Sequence, residues 1–126
     1  MNNLNQILLE GNLVRNPELR YTPKGTPVCT FTVASNRFIK QDDDFQKEVS
    51  FFEITTWAQL AENCNSHLKK GRGVRVIGKL QQDRWQDADG KQHSKIYIVA
   101  EHVTFKPEFK EKKQKSAQKQ IEAPVF

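Results

Sequence analysis

Cysteine is scarce in this 126-residue chain: Cys29 and Cys64 are the only two. Their separation excludes a Cys-x-x-Cys redox or zinc pattern, and His67, His93 and His102 do not cluster with them, so no metal-ligand set is legible. Both thiols are expected to be reduced and buried, the usual fate of free cysteine. Long apolar runs are missing too. Nowhere does the chain hold the roughly 18 consecutive apolar residues that a spanning helix needs. Met1 to Gln6 has neither the basic nor the apolar region of a leader, so the expectation is a cytoplasmic protein without a membrane. Enzyme signatures are absent as well: there is no phosphate-cradling Gly-x-x-x-x-Gly-Lys-Ser/Thr, no His-Glu-x-x-His and no nucleophile elbow. Asp87-x-Asp89-Gly90 lacks the remaining ligands of a calcium loop and reads as a hairpin turn, while Asp42-Asp43-Asp44 reads as a solvated loop. No catalytic residue, metal or cofactor is expected.

What the chain does have is a modest apolar content (37%), enough for one small core, and a positive balance of +5 that favours an anionic partner. The charge is uneven. Beyond Phe105 come Lys106, Lys110, Lys112, Lys113, Lys115 and Lys119 against Glu108, Glu111 and Glu122, in a stretch poor in apolar residues. Such a segment cannot bury enough surface to offset its ordering entropy. The expected organisation is therefore a folded domain over residues 1–106 and a flexible basic tail over 107–126, in which a marginal helix could form around Lys110 to Gln120.

Apolar alternation predicts strands at Ile7 to Val14, Val28 to Ala34, Glu48 to Trp57, Val74 to Gln81 and Lys91 to Phe105. Gly11 interrupts the first, which suggests a bulge or a tight bend where two backbones approach. Between the third and fourth strands, Leu60, Ala61, Cys64 and Leu68 share one helical face, predicting a helix over Ala58 to Lys70 stopped by Gly71. The order β-β-β-α-β-β predicts an all-β fold, a five-stranded OB-fold barrel with one helix between strands 3 and 4. Alternation also sorts the third strand: Phe51 and Trp57 fall on one face with Val49, Glu53 and Thr55, and Phe52 and Ile54 on the other. Strand aromatics are more often core than ligand platforms. Trp85 is the exception, because Asp83, Arg84, Gln86 and Asp87 make a poor apolar setting for an indole.

A longer pattern is more specific. Gly11-Asn12-Leu13, Pro17-Glu18-Leu19-Arg20-Tyr21, Pro23-x-Gly25 and Asn36-Arg37 occur in order, followed by Trp57-Ala58-Gln59-Leu60-Ala61-Glu62, Leu68-Lys69-Lys70-Gly71, Gly78-Lys79-Leu80 and Arg84-Trp85 with Gly90. Over residues 5 to 105 this series resembles the bacterial single-stranded-DNA-binding proteins, the SSB family, in a short form without the usual acidic C-terminal tail. The resemblance implies sequence-independent binding of single-stranded DNA, protecting it in replication, recombination and repair, by a nucleoid-associated homotetramer around which DNA wraps. It implies base stacking at Phe51, Trp57 and Trp85, with Phe38 near a fourth aromatic position. Phosphate contacts are expected from the clustered cations Lys70, Arg72, Lys79 and Arg84, since neutralising phosphates releases counterions. Glu53, Gln59 and Asp83 stand where the family often carries basic groups, which is expected to weaken binding per subunit. Pro124 and Phe126 resemble the family's tip that recruits replication and repair proteins, although Val125 separates them and Glu122 is the only nearby acid. The basic tail is expected to add phosphate contacts. The alternative is an OB-fold adaptor of the primosome type, acting mainly through protein partners.

Overall fold

The computed structural model describes residues 1–107. The basic tail from residue 108 onward lies outside them, as do Pro124 and Phe126. The elements are β1 (Ile7–Leu13), β2 (Glu18–Tyr21), β3 (Pro27–Gln41), β4 (Asp44–Trp57), α1 (Ala58–His67), β5 (Gly73–Gln86) and β6 (Gln92–Phe105). The sheet runs β1-β5-β6-β4-β3-β2, and an added β1–β3 pairing through Asn12↔Ala34 and Leu13↔Val33 closes β1, β5, β6, β4 and β3 into a barrel. Only β4 and β6 run parallel, through Ile54↔Ile98 and Thr55↔Val99. The expected five-stranded barrel is there, and β2 is an extra strand paired to β3 outside the ring. Because of β2, the helix lies between β4 and β5 in chain order.

Alternation explains the core. Phe31 faces Ile54 across β3 and β4, and Val74 and Val76 enter from β5, Ile98 from β6 and Leu13 from β1; all are buried. Ala61 and Cys64 of α1, together with Leu68, close one end of this cluster. Both cysteines are free and buried as expected, and burial pushes the Cys64 thiol up to about 12. The Thr56 hydroxyl donates to the Cys29 carbonyl at 3.0 Å, which satisfies a buried hydroxyl inside the barrel.

The larger departures from the expected boundaries have physical reasons. The helix ends at His67, not Lys70: Leu68 turns extended (φ −101°, ψ 151°) so that its side chain enters the core, and its N–H still bonds the Cys64 carbonyl at 2.9 Å. Gly71, at φ 89°, serves the following turn instead. β3 and β4 continue to Gln41 and from Asp44, because Asp42 takes φ 62° and closes a tight hairpin where a solvated loop was expected. β5 reaches Gln86 rather than Gln81, and β2 forms where a polar turn was read. These added segments set few apolar side chains among polar ones, and of those only Leu19 of β2 packs against the core, so they carry no core periodicity.

One polar clamp ties β1 to β5 and to the end of β6. Arg75 Nε donates to Glu10 Oε2 at 2.7 Å and Lys106 Nζ to Glu10 Oε1 at 3.4 Å, and the Arg75 hydrogen bond holds the Glu10 carboxyl below its usual value. A lowered carboxyl contributes stability above its unfolded pKa and loses it as pH falls through the lowered folded value. Glu10→Gln should therefore cost about 0.5 kcal/mol at pH 7. Urea denaturation at pH 7 and in strong acid should show the variant and native curves converging in acid.

Candidate nucleic-acid interface

Past the barrel, the two long hairpins continue as two-stranded ribbons. From Ser35↔Ser50 to Gln41↔Asp44 only β3 and β4 pair, and from Gln81↔Tyr97 to Gln86↔Gln92 only β5 and β6. Successive side chains on a strand alternate, so register decides which residues share a face. Phe38 opposes Lys47, Lys40 opposes Phe45, and Ala34 opposes Phe51, so Phe38, Lys40, Phe45, Lys47, Val49 and Phe51 occupy one face of the first ribbon. Glu53, Thr55 and Trp57 carry that face back onto the barrel. On the second ribbon, Lys79, Gln81, Asp83 and Trp85 share a face with His93, Lys95 and Tyr97. The two faces are joined where Lys95 Nζ meets Glu53 Oε1 at 2.7 Å.

Between them lies an open groove of about 420 Å³ whose lining includes Arg20, Tyr21, Trp57, Asp83, Lys95 and Tyr97. A second hollow, of about 430 Å³ and lined by Arg15, Asn16 and Glu18, adjoins it through the shared Thr30 and Glu53. The aromatics along these faces are outside the core: Phe38 is 45% exposed, Phe51 64%, Trp57 44% and Trp85 48%. Trp57 stays on the strand face because the chain reverses at Ala58, whose φ of 58° turns β4 abruptly into α1. Trp85 is braced. Its ring stacks on His93 with centroids 5.6 Å apart, and His93 Nε2 lies 2.7 Å from Asp87 Oδ2. That contact, with the Asp89 and Lys91 N–H groups donating to Asp87 Oδ1 at 2.9 Å, fixes the turn and holds the Asp87 carboxyl below its usual value. Asp87-x-Asp89-Gly90 is thus a hairpin turn. Among the described residues no group of three His, Cys, Asp or Glu could hold a metal ion.

The expected phosphate-binding cations scatter. Lys79 shares the Trp85 face of its ribbon, whereas Arg84 alternates to the opposite face, where its Nη2 donates to Gln82 Oε1 at 3.0 Å. Lys70 lies in the loop after α1, its N–H bonded to Asn16 Oδ1 at 2.9 Å. Arg72 spends its guanidinium on the fold, donating from Nε to the Lys106 carbonyl at 2.8 Å and from Nη1 to the His67 carbonyl at 3.1 Å, 5.9 Å from the Phe105 ring centroid. Other cations, not chosen from sequence for phosphate contacts, lie closer to these faces: Arg20 and Lys95 in the groove wall, Arg15 in the second hollow, and Lys40 and Lys47 beside Phe38 and Phe45 on the first ribbon. Phe45, 70% exposed, and Tyr21, 61% exposed, were missed with them. The signal for Phe45 was available, since an even spacing of 45, 47, 49 and 51 puts it on the Phe51 face once the strand is known to begin at Asp44.

A closed five-stranded barrel with one parallel pair, a helix between its third and fourth ring strands and ribbons that extend one face is an OB-fold. The chain belongs to the Single-strand binding protein family, which matches residues 4–106 and whose members are non-enzymatic DNA-binding proteins. Among its relatives, the single-stranded DNA-binding protein of Treponema pallidum (strain Nichols) is 42% identical over 103 residues, covering 82% of this chain and 58% of that protein. That of Caldanaerobacter subterraneus subsp. tengcongensis is 42% identical over 103 residues, covering 81% and 67%. The Thermotoga maritima protein is 43% identical over 107 residues, covering 83% and 75%. The chain thus spans little more than half the length of the first of these relatives. No helix among the described residues is long and apolar enough to cross a membrane.

Proposed function

We propose that this chain binds single-stranded DNA along the aromatic faces of its two ribbons and the barrel groove that joins them, keeping the strand unpaired and protected during replication, recombination or repair. The observation that carries this reading is one continuous face on which exposed aromatics alternate with cations: Phe38, Lys40, Phe45, Lys47 and Phe51, leading to Trp57, with Trp85 on the facing ribbon. Stacking on a base needs no particular base, because every base has a π-face, and cations placed between rings meet the phosphates that follow. Lys79, Arg20 and Lys95 extend the cationic path along the groove. Arg72 and Arg84 are engaged elsewhere and stand outside this proposal. Leu80 and Ile96, large apolar side chains left exposed on one face of β5 and β6, support association into the expected homotetramer. Residues 107–126 add phosphate contacts on this reading, and their tip is the segment through which replication or repair proteins could be engaged. An adaptor acting mainly through proteins would have no use for Trp57 exposed in the groove and Trp85 exposed on the ribbon face beside it.

Titration with oligo-dT while following tryptophan emission tests the proposal. Quenching on oligo-dT, little response to duplex of equal length and a steep loss of affinity with salt are expected. Unchanged emission, or preference for duplex, would remove the groove from DNA binding.

A further inference from the structure

The groove is not simply cationic. Glu53 and Asp83 stand in its lining beside Lys95, Tyr97 and Trp57. Each carboxylate has one oxygen engaged, Glu53 Oε1 with Lys95 Nζ at 2.7 Å and Asp83 Oδ1 with the Tyr97 hydroxyl, which donates at 3.2 Å. A carboxylate accepts hydrogen bonds at both oxygens. Carboxylates repel phosphate, so a groove that carries two of them in its walls suits the other part of a nucleotide, the base.

Bases differ in what they can offer a carboxylate. Cytosine presents an exocyclic amine beside two acceptors on its pairing edge, and Asp or Glu accepting from that amine is an established geometric match. Thymine presents a carbonyl oxygen at the same place, which a carboxylate disfavours. Acceptors beside the Lys95 ammonium form the complement of cytosine's donor-acceptor edge, and the Tyr97 hydroxyl, donating to Asp83, holds one of those acceptors in place. Burial, with Asp83 alongside, pushes the Tyr97 phenol up, so it keeps its proton and its hydrogen bond to Asp83 across the neutral range.

We propose that Glu53, Asp83, Lys95 and Tyr97 form a base-edge subsite, with Trp57 as the neighbouring stacking surface, that favours an amine-bearing base, cytosine first, at one position of the bound strand. The inference rests on the groove being the DNA site proposed above. It makes stacking the source of general affinity and the two acids the source of a local base preference.

The test compares oligo-dC with the same oligonucleotide carrying pyrimidin-2-one bases, which are cytosine without its 4-amino group. The native full chain should bind the amine-free strand about fivefold more weakly, in line with the discrimination of one good base contact. In the Glu53→Ala, Asp83→Ala double variant, which removes the acceptors, that difference should vanish, and affinity for oligo-dT should stay level or rise as repulsion of phosphate is relieved. Equal affinity of the native chain for the two strands, with tryptophan quenching intact, would overturn the subsite while leaving the groove as the DNA site. No binding of either strand, without quenching, would overturn both. A difference that persists undiminished in the double variant would also overturn the assignment to these acids, and circular dichroism of the variant checks that it is folded.

Discussion

Replacing Trp57 by alanine is expected to weaken single-stranded DNA binding by about 2 kcal/mol, roughly 30-fold, and Trp85→Ala by a similar amount, with the double variant losing most of the affinity. The size follows from what each indole does. A stacked base gains about 1–3 kcal/mol from an aromatic surface, and both rings are held ready for it, Trp57 by the reversal at Ala58 and Trp85 by its stack on His93. Neither substitution should unfold the protein. With 44% and 48% of their surface exposed, these side chains contribute little to a core built from Phe31, Val33, Ile54, Val74 and Val76. Anisotropy titrations with a labelled oligonucleotide, alongside thermal melts, separate the two effects. A large drop in affinity with a melting temperature near native is the expected pair of results. Native affinity in the Trp57→Ala variant would show that bases do not stack there.

The second large effect concerns Gly78. It is buried where the pairing of β5 with β6 shifts between Ile77 and Gly78, and a Cβ built there would fall against the carbonyl oxygen of Val99 and 2.9 Å from the Cα of Ala100. Those neighbours are backbone atoms of the adjacent strand, so no side-chain rotation relieves the clash. Gly78→Ala must either part β5 from β6 or lose the irregularity that bends them, and overpacking against backbone should cost about 3 kcal/mol. In a domain of this size that corresponds to a fall in melting temperature of about 12 °C or more. Gly11 is in the same position on the other side of the barrel, its added Cβ meeting the Ala34 carbonyl where β1 leaves β5 to pair with β3. A Gly78→Ala variant that melts within a few degrees of the native chain would show that the ribbon has room to relax.

These two glycines mark how far the sequence could be read. Gly11 was legible as a close approach because it interrupts an apolar run, and the barrel followed from five alternating segments with a helical face between the third and the fourth. Phe51 and Trp57 could be placed on one face by counting residues. What escaped was structure that buries little. The ribbon ends, residues 35–50 and 81–86, keep their few apolar side chains outside the core, so no buried periodicity announces them, yet they carry Phe38, Phe45 and Trp85 away from the barrel. β2 was hidden because it is only four residues long and sets one side chain, Leu19, against the core, and with it went the placement of Arg20 and Tyr21 in the groove wall. Charge misled in the opposite sense. Lys70 and Arg72 cluster in sequence, but Arg72 is drawn to the carbonyls of His67 and Lys106 at the end of α1, whereas groove cations such as Arg20 and Lys95 come from strands far apart in the chain.

The central claim is that the aromatic faces of the ribbons and the groove that joins them hold single-stranded DNA, and single-tryptophan variants test it most directly. Trp85→Phe leaves Trp57 as the only indole and Trp57→Phe leaves Trp85, so each emission reports one place on that path. Saturating oligo-dT should quench both variants, at matching strand concentrations and with the same salt dependence. Emission unchanged by DNA in either variant, while anisotropy shows that the strand is bound, would contradict the path proposed for it.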